Sequence, residues 1–299
     1  MCSTNQGIYP TSVRLRETET ILHLRRLSLH VPAYARPRGP IDALGARGRR
    51  GSPHHHHDVW SQLDGRPVDR VLWQPMNADT APGIFLPLTS ILARDPQATV
   101  VIYPSDHFIS PEDLFLSAVD HAVRGSKELG GRPVLLAAKP DGLELEYEWI
   151  KPGRRLGWTG EATIQAVETF FEKPDRATAH EARAVGCLWN TMALIAKGKE
   201  LWSLGWKCVP EIVSRFEWLK ATVDTHEEPR VLEAIYEAMP RRNFSSHLLQ
   251  CSPDRLAVME MKDVLWSDWG NQDRIVSGLE KIEKRPAVME DPLPFLYVG

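Results

Sequence analysis

Cysteine is scarce in this 299-residue sequence, and what there is lies scattered. Cys2, Cys187, Cys208 and Cys251 form no C-x-x-C pair and no metal-ligand spacing, which excludes a zinc site and a thioredoxin-like motif and leaves free thiols in a reducing compartment as the expectation. Long apolar runs are missing too, and none approaches the length that spans a bilayer. The N-terminus shows no basic-then-apolar leader pattern, so a cytoplasmic chain without a membrane partner is expected. Lysine is absent from residues 1–57, where nine Arg stand against three acids although the whole chain carries a net charge of -3. That basic arm lacks interleaved aromatics and a sustained basic face, so no nucleic-acid partner is expected either. Composition fixes no oligomeric state.

What is present begins unevenly. "TETILHLRRLSLHV" (18–31) spaces Leu24, Leu27 and Val31 as a short amphipathic helix would. Residues 34–57 are dominated by Arg, Gly, Pro and His, with no periodicity that could bury a face. They read as loop or disorder, and the run His54–His57 reads as solvated rather than as a metal site. From residue 70 the texture changes. "RVLWQP" reads as a strand and "DTAPGIFLPLTSILARD" as a helix capped by Thr80, with Pro82 in its first turn and Pro87 expected to bend it. "TVVIY" (99–103) is a strand. A helix follows, capped by Ser110 with Pro111 at its first position, and "PVLLAA" (133–138) is a further buried strand. Such alternation means an α/β fold with βαβ units, a mostly parallel sheet and helices covering it. Further on, 166–174 and 186–197 read as strands around a helix at 175–184. Residues 199–239 read as helical, "RLAVMEM" and "DVLW" as a hairpin, and 271–284 as a closing helix.

Several polar residues then fall at strand ends: Asp106, Glu172, Lys173, Asn190 and Asp268. An Asp ending a strand can satisfy a turn, or it can hold a metal at the sheet's carboxyl edge, where open α/β folds place ligands. Two separated carboxylates can share one Mg²⁺ with substrate phosphates, and a Lys in the same cleft supplies a compact cation. Without an activated nucleophile, the set suggests phosphoryl or nucleotidyl transfer by positioning and charge neutralisation.

"PSDHFI", "FFEKP", "LWNT" and "WSDWG", in this order, resemble the mannose-1-phosphate guanylyltransferases of the sugar-nucleotidyltransferase superfamily. "QPMNADTAPGI" (74–84) resembles that family's nucleobase-contacting segment. The resemblance covers about residues 68–284. It implies a Rossmann-like, GT-A-like mixed sheet over 68–299, with 1–67 a degenerate, partly disordered region. It also implies attack of mannose-1-phosphate on the α-phosphorus of GTP, releasing pyrophosphate. By the same resemblance Asp106 and Asp268 would hold Mg²⁺, and Lys173 would contact the sugar phosphate. Glu172, Asn190 and Tyr147 would line the sugar pocket, and Asn77, Thr80 and Ala81 would meet the base.

The chain departs from that pattern at its start. The family's first strand, its Gly-rich phosphate loop and its Pro-Lys-Gln segment are not recognisable, and "GARGRRG" (45–51) follows no strand and opens no helix. Ala78 stands where Arg is usual, while Glu148 and Met192 stand where Gly is usual. Slow or absent turnover by this chain is therefore expected. The alternatives are a non-catalytic sugar-nucleotide-binding paralogue, or a damaged gene product in which 34–57 is a shifted reading frame.

Overall fold

The computed structural model describes residues 11–16, 19–24, 71–104, 107–269 and 272–281. Its strands are β1 (Thr11–Arg16), β2 (Glu19–Leu24), β3 (Val71–Leu72), β4 (Thr99–Tyr103), β5 (Phe108–Ser110) and β6 (Val134–Ala138). They continue with β7 (Glu148–Thr159), β8 (Ala162–Glu172), β9 (Leu188–Lys197), β10 (Ala257–Glu260) and β11 (Leu265–Ser267). The helices are α1 (Thr80–Arg94), α2 (Glu112–Glu128), α3 (Arg176–Ala184), α4 (Gly198–Cys208), α5 (Pro210–Lys220), α6 (Glu228–Glu237) and α7 (Gln272–Lys281).

Nine strands form one sheet in the order β3-β1-β2-β4-β9-β6-β10-β8-β7, and β5 pairs with β11 in a small second sheet. Strands β2, β3, β4, β6, β7 and β10 point one way, while β1, β8 and β9 point back. Because β9 inserts between β4 and β6, neighbours are parallel only at β2/β4 and β6/β10. The mixed α/β sheet is as expected, and the shared direction of β4 and β6 follows from the helical crossover through α2.

Side-chain alternation along the central strands splits the core into two layers. Val100 and Ile102 of β4, Leu135 of β6 and Leu194 of β9 pack with α1, α4, α5 and α6 on one face. Val101, Val134, Leu136 and Ile195 pack with α2 and α3 on the other. Phe85 of α1 and Phe216 of α5, both fully buried, stack with ring centroids 6.5 Å apart. Burying each such side chain contributes about 1.5–3 kcal/mol.

Several expectations are corrected. Residues 19–24, read as part of a helix, form β2 beside β4, so the first part of the chain contributes strands β1 and β2 to the same sheet as the rest. Thr20 and Ile21 are β-branched and suit a pleated sheet, whereas the helical spacing leaned on Leu27 and Val31, outside the described residues. Asp79, not Thr80, caps α1, its side chain accepting from the Thr80 N–H at 2.7 Å, and the helix runs on through Pro87. Pro111, not Ser110, precedes the first residue of α2, with no side-chain cap. The expected final hairpin does not form: β10 pairs with β6 and β8, and β11 with β5. Cys208 and Cys251 are not free thiols but a disulfide with Cα atoms 6.0 Å apart, while Cys187 is free and buried. The segment 34–57 and Cys2 lie outside the described residues.

Candidate functional site

Strand register brings the polar strand ends together. Trp189 at the start of β9 pairs with Ala138 at the end of β6 and with Trp149 near the start of β7. Glu148 opposes Glu172 at the end of β8. Tyr147, Glu148, Glu172, Lys173 and Asn190 therefore gather at one edge of the sheet. Lys173 is exposed, at φ 40°, with its ammonium 3.5 Å from the Glu146 carboxylate. Met192, two residues after Asn190, has φ 56°. Non-glycine residues in the left-handed region cost of order 1–3 kcal/mol and concentrate at functional sites.

Glu148 is the centre of this group. Its carboxylate accepts from the Asn190 side-chain amide, from Ser245 Oγ at 2.6 Å and from the Gln250 amide. The Gln250 amide nitrogen also lies 3.3 Å from Glu172 Oε2, so one donor bridges two carboxylates. Burial pushes the Glu148 carboxyl upward, the three donors pull it back, and the Glu172 charge raises it further. Ser245 opens a π-helical turn, Ser245–Leu249, that carries this segment against the sheet edge.

Beside it lies Asp268, just after β11. Arg274 of α7 donates through Nη1 to both Asp268 oxygens, at 2.8 and 3.0 Å, and its guanidinium lies 4.6 Å from the Tyr147 ring centre. The Tyr147 hydroxyl donates to Asp268 Oδ1 at 3.1 Å, and desolvation pushes that phenol up to about 12. Across the small sheet, Phe108 opposes Ser267. His107 Nδ1 accepts from Trp266 Nε1 at 3.1 Å, and burial lowers the imidazole to about 4 against the opposing pull of Asp268.

The expected base-side residues are engaged with the protein. Thr80 Oγ1 accepts from the Phe244 N–H at 2.8 Å, and the N–H of the fully buried Ala81 donates to the Arg242 carbonyl at 3.0 Å. Exposed Asn77 accepts from the Asp79 N–H at 2.9 Å. Residues 242–250 thus touch both the start of α1 and Glu148.

Of the two expected Mg²⁺ ligands, only Asp268 is among the described residues. Among those residues no group of three or more His, Cys, Asp or Glu side chains is arranged to hold a metal, and Asp268 spends both oxygens on Arg274. Asp106 lies outside the described residues. No helix among the described residues is long and apolar enough to cross a membrane.

Comparison with known proteins joins this geometry to a family. The model of the nucleotidyl transferase family matches residues 67–285. The chain belongs to that family. It is 29% identical over 224 residues to the xanthan biosynthesis protein XanB of Xanthomonas campestris, covering 74% of this chain and 45% of that protein. A mannose-1-phosphate guanylyltransferase of Salmonella muenchen is 30% identical over 129 residues, covering 42% of this chain and 26% of that one. The chain thus spans about half the length, or less, of these curated relatives. A Thermus thermophilus structure described as a mannose-1-phosphate geranyltransferase superposes with a TM-score of 0.64 at 22% identity, covering 78% of this chain and 63% of that one. At that identity it shows the nucleotidyltransferase fold alone.

Within this fold, Arg274, Ser245, Gln250 and His107 escaped the sequence assignments. The first three stand in no motif. Arg274 is six residues beyond Asp268, and Gln250 is 102 residues from Glu148, so neither contact follows a local period.

Proposed function

We propose that this domain binds a nucleoside triphosphate and a sugar-1-phosphate, with GTP and mannose-1-phosphate as the pair, and transfers the nucleotidyl group to the sugar phosphate slowly. The observation that carries the reading is the gathering of Tyr147, Glu172, Lys173 and Asn190 at one sheet edge next to Asp268. In this reading Lys173 meets the sugar's phosphate, and Glu172, Asn190 and Tyr147 orient the sugar so that its phosphate oxygen faces the α-phosphorus. Asn77, Thr80 and Ala81 lie toward the base. The carboxylates are Asp268 and Asp106, the latter one residue before His107. No step is assigned to Mg²⁺, because Arg274 holds both Asp268 oxygens. Positive charge toward the phosphates comes from Lys173 and Arg274.

Removing one preorganised donor from a transition state costs ~10²–10³ in rate. An unrecognised phosphate loop removes several, so turnover falls below the ordinary range of roughly 1–10³ s⁻¹. A second reading, a domain that holds the ligands without turnover, is favoured by the occupation of Asn190 by Glu148 and of Asp268 by Arg274. Calorimetric titration with GTP and a pyrophosphate-release assay with mannose-1-phosphate separate the two. Binding with slow release supports the first, binding with no release the second, and absence of GTP binding overturns both.

A further inference from the structure

The edge of β7 carries a carboxylate where a ligand-binding cleft would be expected to offer open donors. Asn190, Ser245 and Gln250 come from three separate segments, and all three point hydrogen-bond donors at Glu148. The charge nearest Glu148 that shifts it is not a cation but a second carboxylate, Glu172. A staple between these segments made from a neutral amide would avoid burying an uncompensated charge, which is costly without a paired ion. The arrangement is better matched to a ligand's position. Two side-chain amides and a hydroxyl converge on oxygen atoms, and one of the amides also reaches Glu172 at 3.3 Å.

We propose that Glu148 is the resident occupant of the sugar subsite and weakens the binding of hexose-1-phosphates there, including the substrate's own. This rests on the reading of Asn190 and Glu172 as sugar-binding residues. The oxygens of a hexose ring would have to accept from the same Asn190 and Gln250 amides, so the sugar must displace Glu148 to bind.

The test is isothermal titration of the full chain with mannose-1-phosphate and glucose-1-phosphate, and separately with GTP. Glu148→Ala is expected to bind at least one of the two sugar phosphates about tenfold or more tightly than the parent. Glu148→Gln, which fills the same volume and keeps one acceptor oxygen for the Ser245 and Gln250 donors, is expected to show no comparable gain. Should Glu148→Ala melt early, Glu148→Ser keeps a short hydrogen-bonding side chain and carries the same expectation. The proposal is overturned if neither truncation tightens either sugar phosphate, or if Glu148→Gln gains as much as Glu148→Ala. Loss of GTP binding in the parent would instead sink the functional reading. A gain for glucose-1-phosphate alone would support the role of Glu148 and reject mannose.

Discussion

Both oxygens of Asp268 accept from Arg274, and the same guanidinium lies over the Tyr147 ring and 3.4 Å from Glu144. An arginine so placed stays charged and, with its planar fork, competes with any divalent ion for the carboxylate. Arg274→Ala should free Asp268. GTP binding by that variant should then strengthen about tenfold on adding Mg²⁺, whereas the parent should respond little. Titrations with and without Mg²⁺ read this directly, and an equal Mg²⁺ response in both proteins would contradict it. Lys173 poses the complementary case. Its ion pair with Glu146 is exposed on both sides, so losing it should cost the fold about 0–1 kcal/mol at most. A charge-assisted contact to a ligand phosphate is worth about 1.5–3 kcal/mol. Lys173→Ala should therefore weaken sugar-phosphate binding by roughly 10–100-fold while GTP binding changes far less. Equal weakening of both ligands would remove Lys173 from the sugar side.

At the scale of elements, Gly205 is a helix-packing position with no room. A Cβ on Gly205 of α4 would sit 2.4 Å from Phe85 Cζ of α1 and 2.7 Å from Val213 Cγ2 of α5. Gly205→Ala gains helix propensity of up to about 1 kcal/mol but overpacks a close-packed junction, at about 1–3 kcal/mol. A net loss of ~1–2 kcal/mol in urea unfolding is expected, and an unchanged midpoint would show that the three helices can move apart. What was legible at this scale follows from where the information lies. "TVVIY" and "PVLLAA" read correctly because a strand buried on both faces is a continuous apolar run. The α3 helix at Arg176–Ala184 also fell where expected, capped by Asp175 accepting from Thr178 N–H at 2.8 Å. The pairing of β10 and β11 was not legible, because each strand joins a partner far away in sequence rather than its neighbour. In the site, Tyr147, Glu172 and Asn190 could be found from strand ends and family motifs. Ser245, Gln250 and Arg274 could not, since only the folded turn and α7 carry them to their carboxylates.

The whole molecule responds to pH through groups whose protonation differs between folded and unfolded chains. His107 lies between the large sheet and the β5–β11 pair, its ring 5.0 Å from Trp266 and nearly perpendicular to it. Burial lowers it from 6.5 to about 4, while the charge of Asp268 pulls the other way. An unfolded chain takes up a proton at this histidine near pH 6.5, and the folded chain refuses it until about pH 4. Stability from this group is therefore complete above the unfolded value and is lost as pH falls across that window, up to about 3 kcal/mol in all. Below it, both states are protonated and the loss stops growing. Glu148 acts in the opposite sense. Its raised carboxyl binds a proton more readily folded than unfolded, so acidification through its folded value adds stability. Asp175, Glu227 and Asp254, whose carboxyls are held below the usual range by hydrogen bonds from Thr178, Arg230 and Ser252, add slopes of their own, and substitution isolates the histidine. His107→Asn keeps an acceptor near Nδ1 for the Trp266 N–H but cannot titrate. The stability of the parent relative to this variant should fall steadily from about pH 6.5 to about pH 4 and level off below. Denaturant unfolding of both proteins across roughly pH 3–8 measures it, and parallel profiles through that window would mean that His107 is solvated enough to titrate normally in the folded chain.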